Sequence, residues 1–191
     1  MVEMRRSLVA ALTLATLALS TPVAAASSAV VPLYVNGVAS ARFGQSTSVA
    51  MKSLERYFGV PQTPRPVDFT RNCNIDADLR WPTLSVFFFR GRFVGYGYTT
   101  RTDMGYGTSS PRRRVVASTA QGLKVGDPLS RARSIYTTRF VTSSAQSGTW
   151  SVSTPAGTFR GYLTGEPNVR QPVSRIATIG AGSVGCPAVS P

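Results

Sequence analysis

Residues 85–96 read SVFFFRGRFVGY and residues 151–162 read SVSTPAGTFRGY, so one chain carries the frame S-V-x-x-x-x-G-x-F-x-G-Y twice. Strand-forming residues on either side of a glycine are the pattern of a β-hairpin. Leu84–Phe89 and Trp150–Ser153 run outward, the residues around Gly91 and Gly157 reverse the chain with φ > 0, and Phe93–Thr99 and Phe159–Thr164 return it. Gly95 and Gly161 fall inside the return strands, where a missing side chain admits a bulge or the close approach of a helix.

A second matched block lies upstream of each hairpin. At a constant offset of 82, Gly44 matches Gly126, Ser48 matches Ser130, Ala50 matches Ala132, Leu54 meets Tyr136 and Phe58 meets Phe140. The spacing predicts a helix over 49–58 with Ala50, Leu54, Tyr57 and Phe58 on one face, stopping at Gly59. It predicts another over 131–140 with Leu129, Ala132, Tyr136 and Phe140 on one face. Ser46 or Thr47 caps the first; Asp127, with Pro128 at the first helical position, caps the second. The hairpins repeat at an offset of 66, so the first unit holds 16 additional residues, within 62–79, that include Cys73. The implied class is α+β, a duplicated unit of one helix packed on an antiparallel β-sheet. Residues 27–118 form the first unit with its insertion and 119–191 the second, with a further strand over 173–179. Superposed, the units place Phe93 over Phe159 and Tyr96 over Tyr162.

Residues 1–26 read as a secretory signal peptide: Arg5 and Arg6 precede an apolar run from Leu8 to Leu19, and small residues follow it. Twelve apolar residues span about 18 Å as a helix against a hydrocarbon core of about 30 Å, so no permanent membrane anchor is expected after cleavage. The arginine pair leaves both the general and the twin-arginine export routes open. Export agrees with the cysteines. Only Cys73 and Cys186 are present, and one bridge between them is the simplest reading, with a reactive or metal-binding thiol as the alternative. In the chain-entropy model a loop of that size is worth roughly 4 to 5 kcal/mol.

The chain has 21 basic and 8 acidic residues, a net charge of +13. Loss of the leader with Arg5, Arg6 and Glu3 leaves 19 and 7, and 17 of those 19 are arginine. Such a surface favours polyanions. The one run is Arg112-Arg113-Arg114, read as a solvated loop or as an anion contact.

Residues 37–59, a cysteine-bearing loop, Thr119-Ala120-Gln121-Gly122-Leu123-Lys124-Val125-Gly126-Asp127 and the ending from Ile179 to Cys186 together resemble a family of uncharacterised secreted actinobacterial proteins. In that family an R-F-G helix unit precedes a G-I-x-V-G-D helix unit, and the chain closes on A-G-x-x-x-C. The resemblance covers nearly the whole mature chain, though its motifs are short. The duplicated plan is also similar, more distantly, to the β-lactamase inhibitor protein and to the small lipoprotein of outer-membrane barrel assembly. Both bind proteins, so this resemblance implies a binding role and carries over no residues.

The residue chemistry points away from catalysis. The chain has no histidine, which removes the usual general base, the usual zinc ligand and every Ser-His-Asp or Cys-His arrangement. The carboxylates are sparse, and the pairing open to a glycosidase is Asp76 or Asp78 with Asp103. Asn74-Ile75-Asp76-Ala77-Asp78 opens like an EF-hand loop but has Leu79 and Ser85 where glycine and glutamate are needed. Those acids are read as loop caps and partners of Arg71 or Arg80. Gly180-Ala181-Gly182-Ser183-Val184-Gly185 matches a dinucleotide fingerprint without the helix that must follow it, and reads as a flexible turn that positions Cys186. No cofactor and no metal is implied, and no nucleic-acid partner is expected.

The first hairpin is apolar on both faces, with Phe87 and Phe89 opposite Leu84, Val86 and Phe88. Either the insertion covers them, or Phe87, Phe89, Arg90, Arg92, Tyr96, Tyr98 and Arg101 form a binding patch. The sequence therefore implies a secreted, monomeric, non-enzymatic protein that binds an extracellular protein in an inhibitor-like manner, with a basic anionic-envelope-polymer binder as the alternative. Non-reducing peptide mass spectrometry of the secreted protein is expected to find Cys73 joined to Cys186; two alkylatable thiols in the native protein would contradict the bridge.

Overall fold

The structure, a computed structural model, describes residues 30–62, 65–66, 75–100, 115–137, 140–143, 148–164 and 175–183. In chain order the elements are β1 (Val31–Tyr34), β2 (Gly37–Val38), β3 (Ala41–Arg42), α1 (Thr47–Phe58), β4 (Arg65–Pro66), β5 (Ala77–Arg80), β6 (Leu84–Phe89) and β7 (Arg92–Thr99). They continue with β8 (Ala117–Thr119), α2 (Leu129–Tyr136), β9 (Phe140–Ser143), β10 (Thr149–Thr154), β11 (Gly157–Thr164), β12 (Arg175–Ile176) and β13 (Thr178–Gly182). The fold is mixed α+β and dominated by antiparallel sheet. The larger sheet runs β4-β5-β6-β7-β13-β11-β10-β9, with β12 also paired to β11; the smaller runs β3-β2-β1-β8, its β1–β8 pair being parallel.

Both expected hairpins form, and β13 lies between them, antiparallel to β7 on one side and β11 on the other. One continuous core joins the layers. From the inner face of the large sheet come Leu84, Val86, Phe93, Tyr96, Ile179, Phe159 and Trp150; α1 contributes Ala50 and Leu54, and β1 contributes Val31 and Leu33. The boundary expected at 118 falls inside β8, which pairs with β1, so the two expected units share a sheet and a core.

Several sequence expectations are corrected. The second helix ends at Tyr136, not Phe140: Thr137 takes φ 47°, and the Thr-, Phe- and Val-rich stretch that follows enters β9 from Phe140. β-branched and aromatic residues favour that extended form. Pro128, not Asp127, holds the cap position of α2. The first helix begins at Thr47, with Ser46 at the cap, and ends at Gly59 with φ 78°, as its glycine signal implies. Gly180–Gly182 belong to β13, not to a flexible turn, and the strand expected over 173–179 appears as β12 and β13, separated by Ala177.

The hairpins also differ in register. Arg90 and Gly91, at φ 50° and 68°, make the first turn as a mirror-type pair suited to the strand twist. The second turns at Pro155-Ala156, so Gly157 starts the return strand. In the first hairpin Phe87 faces Gly95 while Phe88 faces Phe93, an irregularity that gives β7 one extra residue. The second hairpin pairs without interruption. A one-residue bulge reverses the face of everything beyond it. Tyr96 is therefore in the core at 0% exposure, while its frame partner Tyr162 points outward at 47%.

The close approach expected at the strand glycines comes from β13 and the residue after it, not from a helix. A Cβ on Gly161 would overlap the Thr178 carbonyl, and one on Gly95 would overlap the Ser183 backbone. A Cβ on Gly97, two residues on from Gly95, would meet nothing within 4 Å among the described residues. The same substitution should thus have opposite results at the two sites. Gly161→Ala is expected to destabilise by at least about 2 kcal/mol. Gly97→Ala should be neutral or stabilise by up to about 1 kcal/mol. Urea midpoints of the two variants check the contrast, and equal shifts would contradict it.

Candidate functional site

The structure divides the sequence-derived patch between two sides of the sheet. Tyr96 and Tyr98 lie in the core, so they do not rim a surface. Their hydroxyls donate to backbone carbonyls of the small-sheet layer, Tyr96 to Tyr34 at 2.9 Å and Tyr98 to Val115 at 2.8 Å. Phe87 is on the opposite face and is 8% exposed. What stays together at the surface is the tip of the first hairpin. Arg90 and Arg92 are exposed, and the Arg90 guanidinium lies 5.1 Å from the centroid of the half-buried Phe89 ring. Arg101, Arg112, Arg113, Arg114, Asp103, Cys73 and Cys186 lie outside the described residues, as do the expected leader and the arginine alternative Arg71.

The tip is fixed from two sides. Thr47 at the start of α1 donates its backbone N–H to the Gly91 carbonyl at 3.1 Å, and Arg92 Nη1 donates to the Gly44 carbonyl at 3.2 Å. From the other side, Asp76 Oδ2 accepts the Arg90 backbone N–H at 2.6 Å, the loop-capping work read from the sequence. A mirror-type turn leaves that N–H pointing outward, where a carboxylate can take it.

Two further described aspartates are similarly committed. Asp127 accepts the Lys124 backbone N–H at 2.9 Å and pairs with Arg131 at 3.1 Å. Asp78, with its side chain 1% exposed, pairs with Arg80, while its Oδ1 accepts no hydrogen bond among the described residues. Among the described residues no group of three carboxylate, cysteine or histidine side chains is placed to hold a metal ion. Among them also, no helix is long and apolar enough to cross a membrane.

Residues that sequence reasoning passed over come from the second hairpin. On β11, Phe159, Gly161 and Leu163 face the core, whereas Arg160, Tyr162 and Thr164 face outward. Arg160 and Tyr162 are exposed. The alternation of period two was legible in the sequence. Matching Tyr162 to Tyr96 concealed it, because the bulge that inverts Tyr96 occurs in the first hairpin alone. No protein-family model matches the chain, and neither a curated protein nor a solved structure does.

The buried tyrosines make a pH prediction. Burial holds the Tyr96 phenol well above its usual pKa of 10.0, with Tyr136 nearby adding to the effect, and burial likewise raises Tyr98 and Tyr136. Because the folded values exceed the unfolded one, the unfolded chain gives up these protons first. Stability is complete below about pH 10 and falls as pH climbs toward the folded values, by up to roughly 1.4 kcal/mol per pH unit for each phenol. Urea titrations above and below about pH 10 should show this loss, and Tyr96→Phe should lessen its slope. A pH-independent midpoint across that window would contradict the assignment.

Proposed function

We propose that this is an exported, monomeric, non-enzymatic protein that binds an anionic polymer of the cell envelope. The observation that carries the reading is the division of labour among charges. Asp76, Asp78 and Asp127 each hold a backbone N–H or an arginine of this chain, while Arg56, Arg90, Arg92, Arg133 and Arg160 face solvent on a chain of net charge +13. A field of one sign raises the local concentration of an oppositely charged partner. The protein-binding, inhibitor-like reading, drawn from the resemblance, the duplication and the expected bridge, loses part of its candidate surface, because Tyr96 and Tyr98 belong to the core. What favours it still is the rigid Phe89–Arg92 tip, a shape suited to insertion into a partner.

The leader-like residues 1–26 support export, and the absence of histidine supports a non-catalytic role. We further read the hairpins as descendants of one duplicated unit. The shared frame, and β5-β6-β7 and β9-β10-β11 flanking β13 in mirrored order, support this. The bulge in one copy is then a later divergence.

Binding to an immobilised polyuronate or teichoic acid tests the proposal. Affinity for the anionic polymer is expected to fall by about ten- to a hundredfold between roughly 50 and 200 mM salt, as for a few phosphate-like contacts, and neutral dextran should not bind. Binding that ignores salt, or that is as strong to dextran, would refute it.

A further inference from the structure

Among the described residues, three other than glycine take a left-handed backbone: Ala39 at φ 52°, Arg90 at φ 50° and Thr137 at φ 47°. That conformation costs an L-residue stability, and where it persists the surroundings give a reason for it. Two of the three have such a reason. The Ala39 side chain is buried in the core, and Thr137 closes α2 with its N–H still bonded to the Arg133 carbonyl, at a helix end where positive φ is common. Arg90 has neither. It is the first residue of the mirror-type turn between β6 and β7, a position that asparagine, aspartate and glycine favour, and its side chain is exposed.

The turn around it is nevertheless held from several sides. Besides the bonds from Thr47 to the Gly91 carbonyl and from the Arg90 N–H to Asp76, the Phe93 N–H donates to the Gln45 carbonyl at 2.9 Å and the Gly44 N–H donates to the Phe93 carbonyl at 2.8 Å. The arginine side chains are held as well. Arg90 lies over the Phe89 ring at 5.1 Å, and Arg92 stands directly opposite Phe89 in the register. A guanidinium stacked on a ring keeps its N–H groups at the edge of its own plane, where an oxyanion can meet them. Arg92 commits Nη1 to the Gly44 carbonyl, which sets its position and leaves its other N–H groups for a partner. The Asp76 carboxylate takes the backbone N–H of Arg90, and neither guanidinium has an ion-pair partner among the described residues.

We infer that the tip of the first hairpin, Phe89–Arg92, is where the anionic polymer is gripped: Arg90 and Arg92 receive its oxyanion groups, carboxylate or phosphate, and Arg90 occupies a strained turn position because its guanidinium is needed there. The inference rests on the polyanion reading and adds the site and the groups that bind. An unsupported surface arginine must be ordered when it binds. Two guanidinium groups already held, one by a ring and one by a carbonyl, lose less freedom, so an oxyanion is bound more tightly at the tip than at Arg133 or Arg160.

Titrations with polygalacturonate and with polyphosphate at low salt test the site. Arg90→Asn with Arg92→Gln removes two charges at the tip and gives the turn a residue it favours; Arg133→Gln with Arg160→Gln removes two charges from α2 and β11. The tip variant should bind at least about tenfold more weakly than the wild type, with a salt slope lower by about two, while the other double variant stays within about threefold. The polymer on which the tip variant loses more identifies the oxyanion received. Arg90→Asn alone should keep or raise the urea midpoint while weakening binding by about threefold or more, a split that a merely structural arginine would not produce. Equal losses in the two double variants, or a lower urea midpoint for Arg90→Asn, overturns the tip as the site while the polyanion reading stands. Failure of the wild type to bind either polymer overturns the polyanion reading itself.

Discussion

The architecture depends on how β13 lodges between β7 and β11. A strand can occupy the centre of a sheet only if the backbones on both sides come within a hydrogen-bonding spacing. Here that approach is tightened at two points, where the Thr178 carbonyl sits over Gly161 and the backbone of Ser183 sits over Gly95. Any side chain at either glycine would hold the strand away. Because β13 pairs with β7 on one side and β11 on the other, those two contacts set how the hairpins lie relative to each other. The inner face of the sheet, and with it the core, follows from that placement.

The core is then tied to its covering layers by aromatic side chains with a polar end. Tyr96 and Tyr98 reach from β7 to carbonyls at the end of β1 and just ahead of β8, and Tyr136 reaches from α2 to the Thr119 hydroxyl at 2.8 Å. Trp81 donates to the Gly59 carbonyl at the end of α1 at 2.7 Å, and Trp150 donates to the Thr178 carbonyl at 3.2 Å. Each contributes a large apolar area and finds a hydrogen-bond acceptor for its polar end. This dual use explains why residues that look like a surface patch in the sequence are interior. A phenol that anchors one layer to another is not available to a ligand.

Charge is sorted in the complementary way. Asp76, Asp78 and Asp127 hold turns and neighbouring arginines, while exposed guanidinium groups such as Arg56, Arg90, Arg133 and Arg160 carry charge outward. That arrangement gives attraction over a range of about a Debye length but little selectivity.

Local features were legible in the chain. Runs of strand formers on either side of a turn specified both hairpins, with a glycine in the first turn; Gly59 specified the end of α1; and the lack of histidine and the few carboxylates bounded the chemistry, since each depends on a residue's own conformational or ionisation properties. The end of α2 was misread because apolar spacing alone continued through Phe140, where β-branched neighbours and a sheet edge at β10 favoured extension. Which face Tyr96 and Tyr162 present was beyond the repeated frame, because facing depends on cross-strand register and a single bulge inverts it. The glycine-rich run at 180–182 looked like a flexible ending, since no local signal says that two hairpins will close on it. Sequence determined the hairpins, the first helix and the charge; tertiary pairing decided that β13 is the centre, that Tyr96 is buried and that Arg160 and Tyr162 share an open face, because those outcomes rest on contacts between residues far apart in the chain.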